Sequence, residues 1–343
     1  VVGSFLNVCI HRLPLGESIV SPPSHCPHCH YAIPWYLNIP LATWLWLRAR
    51  CRNCGALISP RYFIVELLTG LAFLASWVSF GSQSAVLALV YCVFLAGLIA
   101  ASFIDFEHFI IPDELTFGGT ALGLACSVAV PKLHHAPNWT ESAMAGALGA
   151  AAGGGLIYVI LRLGKLLFGR QRVALLETTK IIFTETALCL PDREIPYEEL
   201  FYRRSDTITL HAETVELPDR CYWDVRVQLS PDRLRIGEEE FDPVAVPHLE
   251  GVTAEIILPR EAMGLGDVKF MAAIGAFLGW QAVLFSVTIS SLIGSAVGLC
   301  LILLGKRQWS SRMPYGPYLA LAAVIWVFAG QRWWENLFAS GPP

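Results

Sequence analysis

The strongest constraint on this chain is its succession of apolar runs, at about residues 62 to 80, 85 to 104, 115 to 131, 142 to 168, 268 to 282, 283 to 305 and 315 to 330. Inside hydrocarbon every backbone N–H and C=O needs a partner within its own segment, so runs of this kind predict helices. With 55% apolar residues and a mean hydropathy of +0.53, the chain is too oily for an ordinary soluble domain. Residues Val1 to Ile10 read as the second half of a further span, and the sequence opens without Met. A truncated first helix is expected. A cleaved signal peptide is the alternative, with no basic n-region or small-residue cleavage pattern to favour it. The expected fold is mainly α: a polytopic membrane helical bundle of about eight spans, the first one truncated.

Basic residues orient the bundle. Arg12, Arg48, Arg50, Arg52 and Arg61 fall in the loop 11–61, and Lys306, Arg307 and Arg312 in the loop 306–312, while the opposite side offers little beyond Lys132. Positive residues stay inside, so the rich loops are expected in the cytoplasm of a multi-pass protein. Counting spans from there puts Asp105, residues 169–262 and Asp267 on the same side. The formal charge of −4 hides a division: residues 170–262 carry net −8 and the rest net +4. No basic stripe points to nucleic acid, and the expected partners include membrane lipid.

Loop 11–61 contains Cys26-Pro27-His28-Cys29 and Cys51-Arg52-Asn53-Cys54. Two Cys-x-x-Cys knuckles separated by 21 residues can set four thiolates tetrahedrally around one zinc, leaving no open position for water. Such a site is structural, and its work is to fold a loop too small and polar to hold itself. Disulfides are the alternative, which a reducing cytoplasm disfavours. His25, His28 and His30 are read as solvated loop residues.

Two acids sit where a membrane segment makes them costly. Asp267, in Gly264-Leu265-Gly266-Asp267-Val268-Lys269, opens an apolar run. Asp105, in Ile104-Asp105-Phe106-Glu107-His108, closes one, where the negative end of a helix dipole opposes its charge. Glu107 and His108 either tune it or face solvent. Asp113 and Glu114, after Pro112, suit the first turn of the next helix. Two carboxylates brought within a few ångströms cannot both ionise. The charged one then activates water against a peptide carbonyl while the other polarises or protonates it, with no metal and no covalent intermediate. Gly264 and Gly266 are expected to let a substrate strand approach closely. Lys269 either biases the potential there or snorkels to headgroups. Pro314, Gly316 and Pro317 break the backbone before the last run, which reads first as a turn and second as a site nearby.

Residues 170–262 change character. Ile208, Leu210 and Ala212, and again Val225, Val227 and Leu229, alternate with polar neighbours, and Pro, Asp and Gly separate the runs. A small β-rich cytoplasmic domain is expected, with charges spread as on a solvated face, no catalytic cluster and a partner the sequence does not identify.

Gly264-Leu265-Gly266-Asp267 resembles the GxGD signature of type IV prepilin peptidases, and Ile104-Asp105 with Ile111-Pro112-Asp113 resembles their first-aspartate region. Gly3-Ser4-Phe5-Leu6-Asn7-Val8, Arg12-Leu13-Pro14, the cysteine knuckles, Ser59-Pro60-Arg61-Tyr62 and Val65-Glu66 are similar to that family as well. GxGD alone is shared with presenilin-like proteases; the combination is specific. The resemblance implies a bifunctional enzyme of the bacterial inner membrane with its active site facing the cytoplasm. Such an enzyme cleaves the basic leader of prepilins and pseudopilins after a glycine, then methylates the new N-terminus from S-adenosylmethionine. It implies catalytic roles for Asp105 and Asp267, an active-site loop with Gly264, Gly266 and Lys269, and metal ligation by Cys26, Cys29, Cys51 and Cys54. The expected organisation is then a partial first helix (1–10), a zinc-binding and methyltransferase region (11–61), transmembrane helices with the first aspartate (62–169), the inserted β-rich domain (170–262) and the GxGD part (263–343). That insertion departs from the compact family pattern. Two rival readings use the same residues. A zinc-ribbon adaptor without catalysis leaves both acids unexplained. A proton-coupled transporter predicts internal repeats and acids at mid-membrane, neither of which the sequence displays.

Overall fold

The computed structural model describes residues 1–37, 39–168, 170–191, 193–201, 206–217, 219–259, 264–305 and 313–338. The basic loop Lys306 to Arg312 lies outside the described residues. The chain divides into two compact units, one made of Val1–Tyr158 with Gly264–Pro343 and the other of Val159–Met263.

The first unit is helical. Its elements are α1 (Val2–Arg12), α2 (Ala42–Trp46), α3 (Pro60–Phe80), α4 (Ala85–His108), α5 (Asp113–Ala129) and α6 (Trp139–Phe168), whose last residues belong to the second unit. Local chemistry sets several starts. Ser59 caps α3 by accepting from Arg61 N, with Pro60 in the first turn where its missing N–H is no loss, and Ser84 caps α4 by accepting from Leu87 N. Asp113 and Glu114 occupy the first turn of α5 as expected.

Four helices among the described residues are long and apolar enough to cross a bilayer: Pro60–Phe80, Ala85–His108, the Trp139–Leu166 part of α6, and Trp280–Leu303. The other apolar runs form shorter pieces. Run 115–131 lies mostly in α5, of 17 residues. Run 268–282 corresponds largely to α8 (Leu265–Leu278), of 14 residues, which at the helical rise spans about 21 Å and falls short of a ~30 Å hydrocarbon core. The boundary between the two adjoining runs lies at Gly279, whose φ of 82° ends α8 before α9 (Trp280–Leu303) begins, not at 282/283. Run 315–330 becomes α10 (Gly316–Ile325) and a π-helical turn, Trp326–Gly330, leading into α11 (Gln331–Phe338).

Close backbone contact seats α8 against α6. A methyl group placed on Gly149 would lie 2.1 Å from the Gly275 carbonyl oxygen, and one on Gly275 would lie 2.1 Å from that of Gly149. Only hydrogens fit between these two backbones, which is how small residues substitute for a hydrophobic drive between membrane helices. Elsewhere Leu6, Ile10, Val65, Ala96, Ala100 and Ile104 join α1, α3 and α4 in one apolar cluster that ends beside Asp105.

The second unit is built on one antiparallel sheet. Its strands are β1 (Arg170–Phe183), β2 (Ala187–Leu190), β3 (Arg193–Pro196), β4 (Ile208–Glu216), β5 (Cys221–Ser230), β6 (Arg233–Ile236), β7 (Glu239–Phe241) and β8 (Leu249–Pro259), with the four-residue helix α7 (Tyr197–Leu200) after β3. The spatial order is β3-β2-β1-β8-β4-β5-β6-β7. Ile208, Leu210 and Ala212 are buried as their alternation predicts, and Leu210 pairs with Val227 and Ile208 with Leu229. The phase then flips, since the next buried residue on β4 is Val215. Leu188 from one end of the sheet and Ile236 from near the other share a cluster with Ile181, Leu210 and Ile256. The sheet therefore curls so that one of its faces becomes the core.

Candidate active site and metal centre

Each cysteine knuckle is shaped by its own backbone. In the first, Cys26 N–H donates to Tyr31 O and His30 N–H to Cys26 O; in the second, Cys51 N–H donates to Ala56 O and Gly55 N–H to Cys51 O. The fourth residue after each leading cysteine, His30 and Gly55, is left-handed, with φ of 53° and 73°. Short bridges, His25 to Ala32 and Arg50 to Leu57, close the two turns.

The four sulfurs of Cys26, Cys29, Cys51 and Cys54 all lie within 4.8 Å of one another, with Cys26 Sγ 3.8 Å from Cys54 Sγ. Four sulfurs about 2.3 Å from a central zinc stand about 3.8 Å apart, so this donor set fits the ion. The Asn53 amide donates to Cys29 Sγ and lowers its pKa to about 6, and backbone N–H groups of Cys54 and Asn53 lower that of Cys51. Both effects favour thiolates at Cys29 and Cys51. His25, His28 and His30 are exposed, and the rings of His25 and His30 stack at 5.7 Å.

The acids converge from three segments. Asp105 lies in the last turn of α4, 6% exposed, and Phe109, in the left-handed region at φ 55°, ends that helix by donating to Asp105 O. Asp267 lies in the first turn of α8, 8% exposed, with the Gly264 backbone N–H facing its carboxyl. The carboxyl groups are close enough for the charge of Asp105 to act on Asp267. The third segment is the start of α10: Gly316 N–H donates to Asp105 Oδ2 at 2.8 Å. Buried Ile111 fits between the pieces, since a methyl on Gly316 would meet its Cδ1 at 3.1 Å and one on Gly266 would meet its Cβ at 3.4 Å.

The flanking charges are paired. Lys269 Nζ lies 2.6 Å from Asp113 Oδ1 and 4.8 Å from the centre of the Phe117 ring, so it ties α8 to α5. Glu107 forms an ion pair with Arg61 at the head of α3, and His108 is exposed. Gly264 has an ordinary extended conformation, φ −76° and ψ 152°, so its position uses no glycine-specific freedom. A methyl placed there would stand 3.8 Å from Asp267 Oδ2, an ordinary contact. The sequence does not reveal the Gly316 contact. Its one signal is the Pro314-Tyr315-Gly316-Pro317 break, which carries no indication of its partner.

A separate cleft of about 240 Å³, lined by Ser4, Phe5, Val8, Arg12, Val20 and Pro22 among others, lies against α1. Its lining holds no carboxylate that would receive the ribose hydroxyls or the amine of S-adenosylmethionine, and Arg12 is committed to the carbonyls of Ser18 and Pro22. The cleft does not fit that methyl donor.

A family model described as the bacterial peptidase A24 N-terminal domain matches residues 1–80. A second, the type IV leader peptidase family, matches residues 92–175 and 246–299, leaving most of the β-sheet unit unmatched between its two parts. Over 365 aligned residues the chain is 28% identical to a prepilin leader peptidase/N-methyltransferase of Aeromonas hydrophila, covering 98% of this chain and 91% of that protein. It is 51% identical over 124 residues to a protein of the same name from Myxococcus xanthus, covering 36% of each. A type 4 prepilin-like proteins leader peptide-processing enzyme of Escherichia coli is 43% identical over 147 residues, 38% of this chain and 54% of that one. No solved structure matches.

Proposed function

Because this chain belongs to the type IV leader peptidase family, we propose that it is a prepilin leader peptidase/N-methyltransferase whose peptidase acids are Asp105 and Asp267. It is an integral membrane protein; in this reading it crosses the bacterial inner membrane about eight times, with both acids at the cytoplasmic face. Its substrates are prepilins or pseudopilins, and the sheet unit is an insertion that serves neither chemical step.

The observation that carries the peptidase assignment is the meeting of Asp105 and Asp267, from helices far apart in sequence, around Ile111. The pair shares one proton. The charged carboxylate takes a proton from water as its oxygen adds to the scissile carbonyl. The other acid protonates the departing amine as the C–N bond breaks, and the peptide is released as a carboxylate and an amine. Lys269, neutralised by Asp113, holds the head of α8 in place beside this exchange.

Cys26, Cys29, Cys51 and Cys54 would hold zinc, and the bound ion would stabilise the first loop and take no part in hydrolysis. S-adenosylmethionine supplies the methyl group of the second activity. That role rests on the family alone, and no residue is assigned to it.

Incubating the purified enzyme with prepilins and measuring product masses tests both activities. The wild type is expected to yield a leader-free pilin carrying one added methyl. Asp105→Asn and Asp267→Asn are each expected to slow the cut by about 10²–10⁴-fold. Undiminished cutting by either variant would support the adaptor reading instead, and a cleaved but unmethylated product in the presence of S-adenosylmethionine would reject the transferase half.

A further inference from the structure

We propose that the Pro314-to-Pro317 turn is the third part of the peptidase apparatus, with Gly316 as a positioning residue whose backbone N–H holds the Asp105 carboxyl in its working orientation. The inference rests on the reading of Asp105 and Asp267 as the peptidase acids.

The donor is free to do this because of where it stands. Gly316 is the first residue of α10, so its N–H has no acceptor one turn back in the helix. Pro317 has no N–H, and the N–H groups of Tyr318 and Leu319 return to Tyr315 O at 3.1 and 3.2 Å. The Gly316 N–H is directed to Asp105 Oδ2, at the positive end of the α10 dipole.

The turn is itself held. Tyr315 OH lies 2.7 Å from Ser290 Oγ and 3.0 Å from Ser291 Oγ, both on α9, and Ser290 is fully buried. Orientation therefore passes from α9 through Tyr315 to Gly316 and so to Asp105. Residue 316 also has to be glycine for this contact. A methyl there would stand 2.8 Å from Asp105 Oδ2, 3.2 Å from its Cγ and 3.1 Å from Ile111 Cδ1. A contact at 2.8 Å is closer than a Cβ tolerates, and the groups it would displace are the Asp105 carboxyl and the Ile111 side chain.

A turn that only terminates a loop predicts something different from a turn that aims a carboxyl. Loss of packing alone lowers the amount of folded protein and leaves each folded molecule active. Loss of aim lowers turnover while the substrate still binds, because a misplacement of about 1 Å at a reacting group costs about 100-fold in rate.

The test is steady-state prepilin cleavage by the full-length enzyme in detergent, with kcat and KM normalised to folded protein, for wild type, Gly316→Ala, Tyr315→Phe and Asp105→Asn. Gly316→Ala is expected to lower kcat about 100-fold with KM changed by less than about twofold. Tyr315→Phe removes one oxygen and adds no bulk, so it keeps the test open even where Gly316→Ala fails to accumulate; it is expected to lower kcat about tenfold at unchanged KM. Wild-type kcat per folded molecule in Tyr315→Phe and in any Gly316→Ala that accumulates would overturn the proposal. Wild-type cleavage by Asp105→Asn in the same assay would instead overturn the peptidase reading beneath it.

Discussion

The two units place their charges in opposite ways. Among the described residues, the helical unit buries Arg12, Asp105 and Asp267, while the sheet unit buries one charged residue, Asp206, against Lys165. Acids such as Glu213, Glu238, Glu239 and Glu240 are exposed. Burying a charge is costly unless it is paired or hydrogen-bonded. A fold keeps such a group where something is done with it. Arg12 recovers its cost by donating to the carbonyls of Ser18 and Pro22, and Asp206 by an ion pair at 2.7 Å. Asp105 and Asp267 each have a backbone donor, Gly316 and Gly264, and among the described residues neither has an ion-pair partner, which is what the proposed proton exchange calls for.

The contrast can be broken at several points. The largest effect is expected at the cysteine cluster. Stripping the metal with a chelator, or replacing Cys29 with Ser, is expected to remove all bound zinc and to expose the Arg48 to Arg52 backbone to trypsin; metal analysis and limited proteolysis read both. Uncut loop 11–61 after complete metal loss would show that the knuckles hold their shape through backbone bonds alone. A smaller effect is expected in the sheet core. Leu210→Ala should destabilise that unit by about 2–5 kcal/mol, seen in its denaturation midpoint, while the cleavage rate stays at the wild-type level. A parallel loss of cleavage would mean that the sheet unit takes part in the chemistry after all. Smaller still is Gly275→Ala, whose methyl would collide with Gly149 O at 2.1 Å. Overpacking of this kind costs about 1–3 kcal/mol, and thermal unfolding of the detergent-solubilised protein measures it. No change there would mean that α6 and α8 separate easily.

Much of this architecture is legible in the order of the amino acids. The cysteine site is readable because all four ligands lie in one loop and their spacing is itself the geometry. The two acids are readable for a different reason, the expense of a carboxylate at the end of an apolar run. Alternation locates β4 and β5, yet it does not give their neighbours: β4 pairs with β8, joining Leu210 to Ile256, and such distant partners leave no local periodicity. The phase flip before Val215 also escapes it: the pairing of β4 with β5 keeps one register on both sides of the flip, and residue type alone does not mark where strict alternation stops. Hydropathy draws seven apolar runs where, among the described residues, four helices are long and apolar enough to cross a bilayer, since it measures oiliness and does not show where Gly279 or a π turn interrupts a helix. The Gly316 donor is the least visible part. A backbone N–H has no sequence signature, and its partner lies 211 residues away.

One set of rates bears most directly on the central claim, that two carboxyl groups act as one unit on prepilin. Cleavage should be timed for Asp105→Asn, for Asp267→Asn and for the double variant. If the acids share a proton, the double variant will be no slower than the slower single one, because either change alone already removes the pair. Losses that multiply, so that the double variant is slower by the product of the two single effects, would mean that the acids work independently and would contradict the account.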